Sequence, residues 1–253
     1  MRIKVLNILI IAGILITGTV VHGEVFCSGT FKGHLQGIAA DESGNLYWSF
    51  TVTLVKTDAQ GKELAKVATP GHSGDLTWHG GKIYIAVANG RWNTEGGGAN
   101  SFIHVHDDKT LALISKHPLP EVIYGSGGVE CYNGRFFVVG GLPKGYQENY
   151  VYEYTDTFQF VKRYVIPSGY TSVGIQTVCR GDDGIWWFGY YPAGTFRTDG
   201  QFKLLEKHQF DTAIGIARTN EKGIFWVAST KKNDQGTYTG SARRVKQEEI
   251  LAK

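Results

Sequence analysis

The chain has 253 residues, of which 42% are hydrophobic, 13% aromatic and 19% charged. This composition excludes a disordered chain, which would be less apolar, and a coiled coil, which would carry more charge. The net charge is +3 and falls to +1 without Arg2 and Lys4, so we expect no electrostatic footprint for nucleic acid. The 34 glycines, with 13 tyrosines and 13 phenylalanines, favour short strands joined by tight turns in a single domain.

The first 23 residues have the layout of a signal peptide. Two positive charges, Arg2 and Lys4, precede an apolar stretch from Val5 to Val21, and strand-like sequence follows at once. The alternative is a membrane anchor, because the stretch approaches the ~20 residues of a spanning helix. Small residues at the end of the stretch favour cleavage. We therefore expect residues 24–253 to form a secreted or periplasmic domain without stable membrane insertion.

One motif recurs five times along the rest of the chain: a glycine, any residue, an apolar residue and a large aromatic residue. Successive copies begin 37, 53, 50 and 39 residues apart, close to the ~40–50 residues of one propeller blade. The copies are Gly44-Asn45-Leu46-Tyr47, Gly81-Lys82-Ile83-Tyr84, Gly134-Arg135-Phe136-Phe137, Gly184-Ile185-Trp186-Trp187 and Gly223-Ile224-Phe225-Trp226. The repeat predicts one small sheet per copy.

A glycine-containing strand precedes each motif, and we expect it to be the innermost strand of its blade, because small residues suit strands that crowd round a narrow channel. Two further strands follow each motif, except that Lys246–Lys253 is too short and charged to form the last one. The segment Val25–Lys32 could take that place and close the ring. We therefore predict an all-β, five-bladed β-propeller, with a flat sandwich as the alternative. The predicted inner strands are His34–Ile38, His72–Leu76, Ser126–Glu130, Ser172–Gln176 and Thr212–Ile216.

The first repeat resembles known propeller families. The stretch His34–Tyr47, which reads HLQGIAADESGNLY, looks like the blade signature of the NHL and gluconolactonase-type propellers. Together with Gly74-Asp75-Leu76-Thr77 it is also distantly similar to the plant and bacterial type of glutaminyl cyclase, a secreted five-bladed propeller. The first resemblance implies the fold. The second would imply transfer chemistry with Asp75 in the acid role.

Inner strands of the first two blades should bring four polar side chains to one face, where propellers usually bind ligands. A histidine titrates near neutral pH, and a carboxylate within hydrogen-bond reach would raise its pKa and fix its tautomer. We therefore expect His34, His72 and Asp75 to be catalytic and Gln36 to contact the substrate. The alternative is that these groups hydrogen-bond to loop backbones at the mouth of the channel.

Loops between the second and third strands would surround this cluster with aromatic rings and a fixed positive charge. Sugar rings stack their C–H faces on aromatic side chains, while hydroxyl, carboxylate or sulfate groups bind polar and cationic ones. The alternative is that the rings pack against the blades. The expected substrate-binding residues are Arg91, Trp92, Tyr146, Tyr190 and Tyr191, with Lys144, Lys231 and Lys232 on an anion-attracting rim.

Signals for disulfides and metals are weak. Cys27, Cys131 and Cys179 leave at least one thiol unpaired, and a bridge between Cys131 and Cys179 cannot be decided without geometry. No two cysteines have metal-ligand spacing, and we expect His104 and His106, two residues apart on one strand, to be exposed rather than to hold a metal. No cofactor follows from the sequence. The sequence leaves open whether the central channel holds a structural ion, because backbone carbonyls could bind one there.

These features favour a carbohydrate-active propeller that binds an acidic polysaccharide or oligosaccharide and could cleave it by hydrolysis or β-elimination. Two alternatives stay open, because propellers support many unrelated activities. One is a non-enzymatic ligand- or protein-binding module, and the other is transfer chemistry like that of glutaminyl cyclase. The expected partner is a glycan or another small polar ligand, and a monomer is expected because nothing in the sequence demands an oligomer.

Overall fold

The protein is a five-bladed β-propeller. The computed structural model describes residues 23–252, in which 20 β-strands form five four-stranded antiparallel sheets. This confirms the predicted fold class. Apart from Gly23, the predicted signal peptide lies outside the described residues. Within them, no helix is both long enough and apolar enough to cross a membrane.

Each sheet is one blade, and the first strand of the chain belongs to the last blade. In chain order the strands are β1 (Val25–Phe26), β2 (Leu35–Ala40), β3 (Leu46–Phe50), β4 (Thr53–Thr57), β5 (Glu63–Ala68), β6 (His72–His79), β7 (Lys82–Gly90), β8 (Ala99–Asp107), β9 (Leu113–Pro118), β10 (Ser126–Tyr132), β11 (Arg135–Gly140), β12 (Asn149–Tyr154), β13 (Phe160–Ile166), β14 (Ser172–Arg180), β15 (Trp186–Tyr191), β16 (Gly194–Thr198), β17 (Leu204–His208), β18 (Ile216–Arg218), β19 (Ile224–Lys232) and β20 (Tyr238–Lys246), followed by α1 (Gln247–Leu251). Blades 1 to 4 comprise β2–β5, β6–β9, β10–β13 and β14–β17, and blade 5 comprises β18–β20 with β1.

The recurring glycine motif forms the turn from the first to the second strand of each blade. All five motif glycines have a positive φ, between +67° and +83°, which other residues rarely adopt. The two large residues after the turn point to opposite faces of the second strand. In blade 2, Ile83 packs with Tyr47 of blade 1, whereas Tyr84 packs with Phe136 of blade 3. The motif thus supplies one side chain to each of the two neighbouring interfaces.

The hydrophobic core of the described residues is divided into five clusters, one between each pair of neighbouring blades. Between blades 3 and 4 the rings of Phe137 and Trp186 are 4.8 Å apart, and between blades 4 and 5 those of Trp187 and Phe225 are 5.2 Å apart. A flat sandwich would place one shared core between two sheets. The divided core therefore excludes that alternative.

The N-terminal segment closes the ring, consistent with the prediction for Val25–Lys32. Strand β1 pairs antiparallel with β20, with Phe26 opposite Ser241. Phe31 forms a further bridge with Tyr238, and its ring stacks on Phe50 of blade 1 at 3.7 Å. The last blade thus takes strands from both ends of the chain.

Blade 5 also differs from the prediction at its inner strand. The predicted strand Thr212–Ile216 is mostly a turn, because the Gly215 N–H donates to the Thr212 carbonyl, and the regular strand covers only Ile216–Arg218.

A second repeat, not apparent from the glycine motif, forms the turn from the third to the fourth strand in blades 1 to 4. In each of these turns a side-chain oxygen accepts a hydrogen bond from the backbone N–H two residues further along the chain. From blade 1 to blade 4, the residues that supply this oxygen are Asp58, Asp107, Thr155 and Asp199. In blades 2 to 4 a large residue with positive φ follows and packs into an inter-blade core: Leu111, Phe158 and Phe202. Blade 1 has Gly61 there, because a side chain would overlap the Phe26 carbonyl of the closing strand.

The inner strands crowd round the channel, as the small residues predict. A methyl group on Gly74 would overlap the Gly127 carbonyl of the next blade, so only glycine allows this approach. The inner strands of blades 1 to 4 each carry a β-bulge near their N-terminal end. Bulges redirect side chains and are common beside binding sites. They lie at the end of the channel where the cavity described next is found.

Candidate functional site

A cavity of about 200 Å³ occupies one mouth of the central channel. Inner strands and loops of blades 1 to 4 form its walls. Five of the nine predicted site residues line it: His34, Gln36, His72, Trp92 and Tyr191. Residues without a predicted site role also line it, among them Tyr124, Val173 and Gln176.

His72 is held in one orientation by its neighbours. Its Nε2 lies 2.7 Å from the amide nitrogen of Gln36, and because an amide NH₂ only donates, this ring nitrogen accepts the hydrogen bond. Burial lowers the pKa of His72, and the positive charge of nearby His34 lowers it further. His72 is therefore neutral at pH 7, with its proton on Nδ1. In this state Nδ1 can donate a hydrogen bond to a ligand, whereas Nε2 can take up a proton only after Gln36 has released it.

Trp92 forms an aromatic wall beside His72. The two rings are 4.5 Å apart at 60°, and Trp92 lines the cavity and is 40% exposed, so part of it is open to a ligand. The loop that carries Trp92 is fastened to blade 3: Asn93 donates its N–H to the Tyr124 carbonyl, and its Oδ1 accepts the Leu142 N–H. A side chain at Gly125 would contact the indole. The position of Trp92 therefore depends on contacts between blades 2 and 3.

Blade 4 supplies the wall across the channel from blade 2. Tyr191 and Val173 line this wall, and Gln176 donates from Nε2 to the Val173 carbonyl at 3.1 Å. Burial raises the pKa of Tyr191, and the charge of Asp211 raises it further, so its hydroxyl stays protonated and can donate. This wall combines one apolar face with hydroxyl and amide donors.

His34 lines the cavity on the side of blade 5, and two residues outside the cavity lining, Tyr238 and Lys232, lie near it. The His34 ring contacts Tyr238 edge-on at 5.8 Å, and Lys232 Nζ lies 5.7 Å from the centroid of the same tyrosine. Two groups that carry or can carry positive charge therefore flank one aromatic ring at this edge of the cavity. This arrangement would attract a carboxylate or sulfate group of a ligand.

Asp75 does not join the histidines, and its predicted placement at the cavity is wrong. It is fully buried inside the channel, where its Oδ2 accepts the backbone N–H of Val178 in blade 4 at 3.1 Å. A β-bulge in β6 sets Gly74 and Asp75 opposite Ala86 alone, which turns the carboxyl group into the channel. Burial raises the pKa of Asp75 well above its usual range, although the Val178 amide opposes the shift.

Three other predicted residues lie outside the cavity. Arg91 is exposed and lies against Gly98 of its own loop, with which its backbone N–H is also bonded. Tyr146 packs edge-on against Tyr124 at 5.9 Å, and Tyr190 packs against Phe196 at 5.8 Å. For these two rings the alternative of packing against the blades is the observed arrangement.

A second, polar cavity of about 290 Å³ lies at the opposite mouth of the channel. Two buried carboxyl groups, of Asp41 and Glu130, line it. The Glu130 Oε1 accepts hydrogen bonds from the Thr77 hydroxyl and the Cys131 N–H, both at 2.9 Å. Burial raises the pKa of Glu130, while the charge of Arg218 on the cavity wall lowers it. The hydrogen bonds and the nearby charge account for the burial of this group without a ligand.

The three cysteines are free and buried. Cys131 packs in the core between blades 2 and 3, whereas Cys179 packs in the core between blades 4 and 5, so the two thiols do not face each other. His104 and His106 are also buried, 3% and 1% exposed, and the expected surface position is wrong. In the part of the chain from 23 to 252, no three His, Cys, Asp or Glu side chains are grouped to hold a metal ion.

The fold and the cavity define a five-bladed β-propeller with a small ligand-sized cavity at one mouth of its channel. The chain is similar to a solved protein of unknown function from Bacteroides caccae, with 12% identity, a TM-score of 0.52 and 81% of each chain covered. It is also similar to BamB from Moraxella catarrhalis, with 10% identity, a TM-score of 0.38 and coverage of 82% of this chain and 85% of that one. The computationally designed protein Ika4 matches 69% of this chain at 10% identity, with a TM-score of 0.43.

These likenesses concern the fold alone. No protein-family model matches the sequence, and no curated protein matches it. The resemblances to the NHL, gluconolactonase and glutaminyl cyclase types are therefore not confirmed beyond the propeller architecture.

Proposed function

We propose that the protein is a carbohydrate-binding propeller that holds a sugar ring in the cavity of blades 1 to 4. The observation that carries this proposal is the exposed part of Trp92, which lies beside the hydrogen-bonded pair His72 and Gln36. A flat aromatic face flanked by fixed polar groups suits a sugar, because its C–H face stacks while its hydroxyls find partners. Gln176 and Tyr191 add donors on the facing wall.

The positive edge near blade 5 favours an acidic glycan. Lys232 and His34 flank Tyr238, so a carboxylate or sulfate group next to the bound ring would meet two basic side chains there. Arg91 does not contribute to this preference, because it lies against Gly98 of the same loop and does not line the cavity. In this proposal the protein works outside the cytoplasm, where such glycans are met, in keeping with the signal-peptide layout of residues 1–23.

A second candidate is cleavage of the bound glycan by β-elimination. It rests on His72, which burial keeps neutral, and it requires the bound substrate to displace Gln36 from Nε2, so that this nitrogen can remove a proton α to a carboxylate. Hydrolysis is less favoured, because most glycosidases need two carboxyl groups about 5–9.5 Å apart. Among the described residues that line the cavity there is no carboxylate. Cyclase chemistry with Asp75 as the acid also loses support, because Asp75 does not line the cavity.

The test is to incubate the protein with neutral, uronic-acid-containing and sulfated polysaccharides and to measure both retention and products. Retention of the acidic polymers without change in mass supports binding. An unsaturated end supports β-elimination, and loss of that product in His72→Ala but not in the exposed-site control His79→Ala would assign the base. If no polymer is retained or altered, the proposal is wrong.

A further inference from the structure

Val173, in the blade-4 wall, has an unusual backbone conformation. Its φ is +58°, and among residues 23–252 no other β-branched residue has a positive φ. The left-handed region brings Cβ close to backbone atoms and is least favourable for a β-branched side chain. The other large residues with positive φ, such as Leu111 and Phe202, bury their side chains in inter-blade cores. Val173 instead lines the cavity and is only half-buried.

The surrounding structure holds Val173 in this conformation from both sides. Gln176 donates from its side chain to the Val173 carbonyl, and the Gly174 N–H donates to the Thr171 carbonyl. Thr171 is itself fixed by the buried amide of Asn149 at 3.0 Å. Local strain persists only where neighbouring contacts enforce it, and such strain is concentrated at binding sites.

The cavity is shallow. Gly74 and Gly127 lie at its inner end, and they approach so closely that a methyl group on Gly74 would overlap the Gly127 carbonyl. Asp75 fills the channel beyond them. The volume of about 200 Å³ is below the roughly 300–1,000 Å³ of sites for drug-sized ligands. A polymer cannot thread through such a space, whereas one ring at the end of a chain can enter it.

We propose that the cavity takes a single terminal ring of a glycan, and that Val173 is the specificity-determining residue that packs on this ring opposite Trp92. Blade 3 separates the blades that carry these two side chains, so they lie on facing walls. The ring offers one face to the indole and an edge to the isopropyl group, while its hydroxyls reach Gln36 and Gln176. This inference rests on the proposed function and adds the position of the ring within the glycan.

The strain is tested without any ligand. Val173→Gly removes the unfavourable Cβ, so we expect the melting temperature to rise by roughly 2–4 °C. The matched control is Asn133→Gly. Asn133 has φ +50° in the exposed turn between β10 and β11, and asparagine tolerates this conformation. The melting temperature of the control variant should therefore equal that of the wild type. A melting temperature of Val173→Gly at or below that of the wild type would overturn the assignment of strain.

The contact is tested with a printed array of neutral, uronic-acid-containing and sulfated oligosaccharides. For the oligosaccharides that the wild type retains, Val173→Gly and Val173→Ala should weaken retention at least tenfold, and Asn133→Gly should not. Removal of the non-reducing terminal ring, or a bulky cap on it, should abolish retention by the wild type.

The outcomes separate the two claims. If the wild type retains no oligosaccharide, the proposed function fails, and this inference with it. If the wild type binds but both Val173 variants bind equally well, only the contact at Val173 is wrong. Retention that survives the cap would show that an internal ring is bound and would overturn the terminal-ring assignment.

Discussion

The carboxylate of Asp75 in blade 2 accepts a hydrogen bond from the backbone N–H of Val178 in blade 4, over 3.1 Å across the channel. Blade 3 separates these two strands in the ring, and its Gly128 leaves room for the side chain, since a Cβ there would lie 3.2 Å from that of Asp75. One side chain thus links two non-neighbouring blades at the point where all the inner strands converge. The link explains why the chain has a buried acid at this position although it is remote from the cavity.

Asp75→Asn should make stability less sensitive to alkaline pH. Asparagine keeps an oxygen for the Val178 N–H but cannot ionise. Because burial raises the folded-state pKa above the unfolded value, the contribution of Asp75 is fully present below about pH 4 and is lost as the pH rises through the folded-state pKa. We expect the variant to become increasingly more stable than the wild type as the pH rises towards 9.

Urea unfolding from pH 4 to 9 measures this difference. Asp156→Asn, in an exposed turn, is the matched control and should follow the wild type throughout. Parallel pH profiles for the wild type and Asp75→Asn would contradict the assignment of a buried, ionisable acid.

His104→Leu should protect the protein against acid. Burial lowers the pKa of His104 to about 4, and Lys116 and His106 contribute to the shift. Because the folded-state pKa lies below the unfolded value of 6.5, the contribution of His104 to the free energy of unfolding is complete above pH 6.5. This contribution, roughly 3 kcal/mol, is lost as the pH falls towards 4. Thermal unfolding between pH 7 and 4 should show a smaller fall for His104→Leu than for the wild type. His79→Leu, at an exposed position, should leave the fall unchanged.

Trp92→Ala should remove ligand binding while preserving the fold. The indole is 40% exposed and forms one wall of the cavity, so its loss costs stacking rather than core packing. Glycans that the wild type retains should bind the variant at least tenfold more weakly in titration calorimetry, a loss of about 1.4 kcal/mol in binding free energy. Tyr170→Ala removes a ring of similar exposure, 42%, that does not line the cavity. Equal losses in the two variants would point to a general surface effect.

Phe31→Ala should weaken closure of the ring. Phe31 is 5% exposed and stacks on Phe50 across the junction of blades 5 and 1. Truncation of a buried phenylalanine costs about 3–5 kcal/mol, which urea unfolding would detect. In the same segment Phe26 is 60% exposed, so Phe26→Ala should change stability by less than about 0.5 kcal/mol. A small effect at Phe31 would mean that the N-terminal segment is not needed to hold blade 5.

The blades could be predicted because one local requirement repeats in each of them. The turn before each second strand needs positive φ, and the next two large residues must fill two different interfaces, so glycine and two bulky residues recur at fixed spacing. The inner strand of blade 5 could not be placed in the same way. Its glycine, Gly215, belongs to a turn that bonds to Thr212, and a turn glycine and a strand glycine look alike in sequence.

The cavity could be predicted in part. His34, Gln36 and His72 were found because they begin inner strands next to the recurring glycines. Asp75 was misplaced because a bulge reverses the direction of a side chain, and no sequence pattern shows where a bulge falls. Tyr124 lies on the connection between blades 2 and 3, whose path depends on contacts such as Asn93 to Leu142 rather than on periodicity. Val173 lies in the predicted inner strand of blade 4, but no sequence pattern shows its positive φ.

The shared last blade makes the two ends of the chain neighbours. Glu24 accepts a hydrogen bond from Ser241 although 217 positions separate them in sequence. Folding must therefore bring the first strand to a partner that lies more than 200 residues away in sequence, and such a distant contact forms slowly. A circular permutant that joins Glu24 to the end of β20 by a short linker and opens the exposed turn at Asp234 would turn this distant pairing into a local hairpin. In that rearranged chain, ring closure would move to strands β19 and β20.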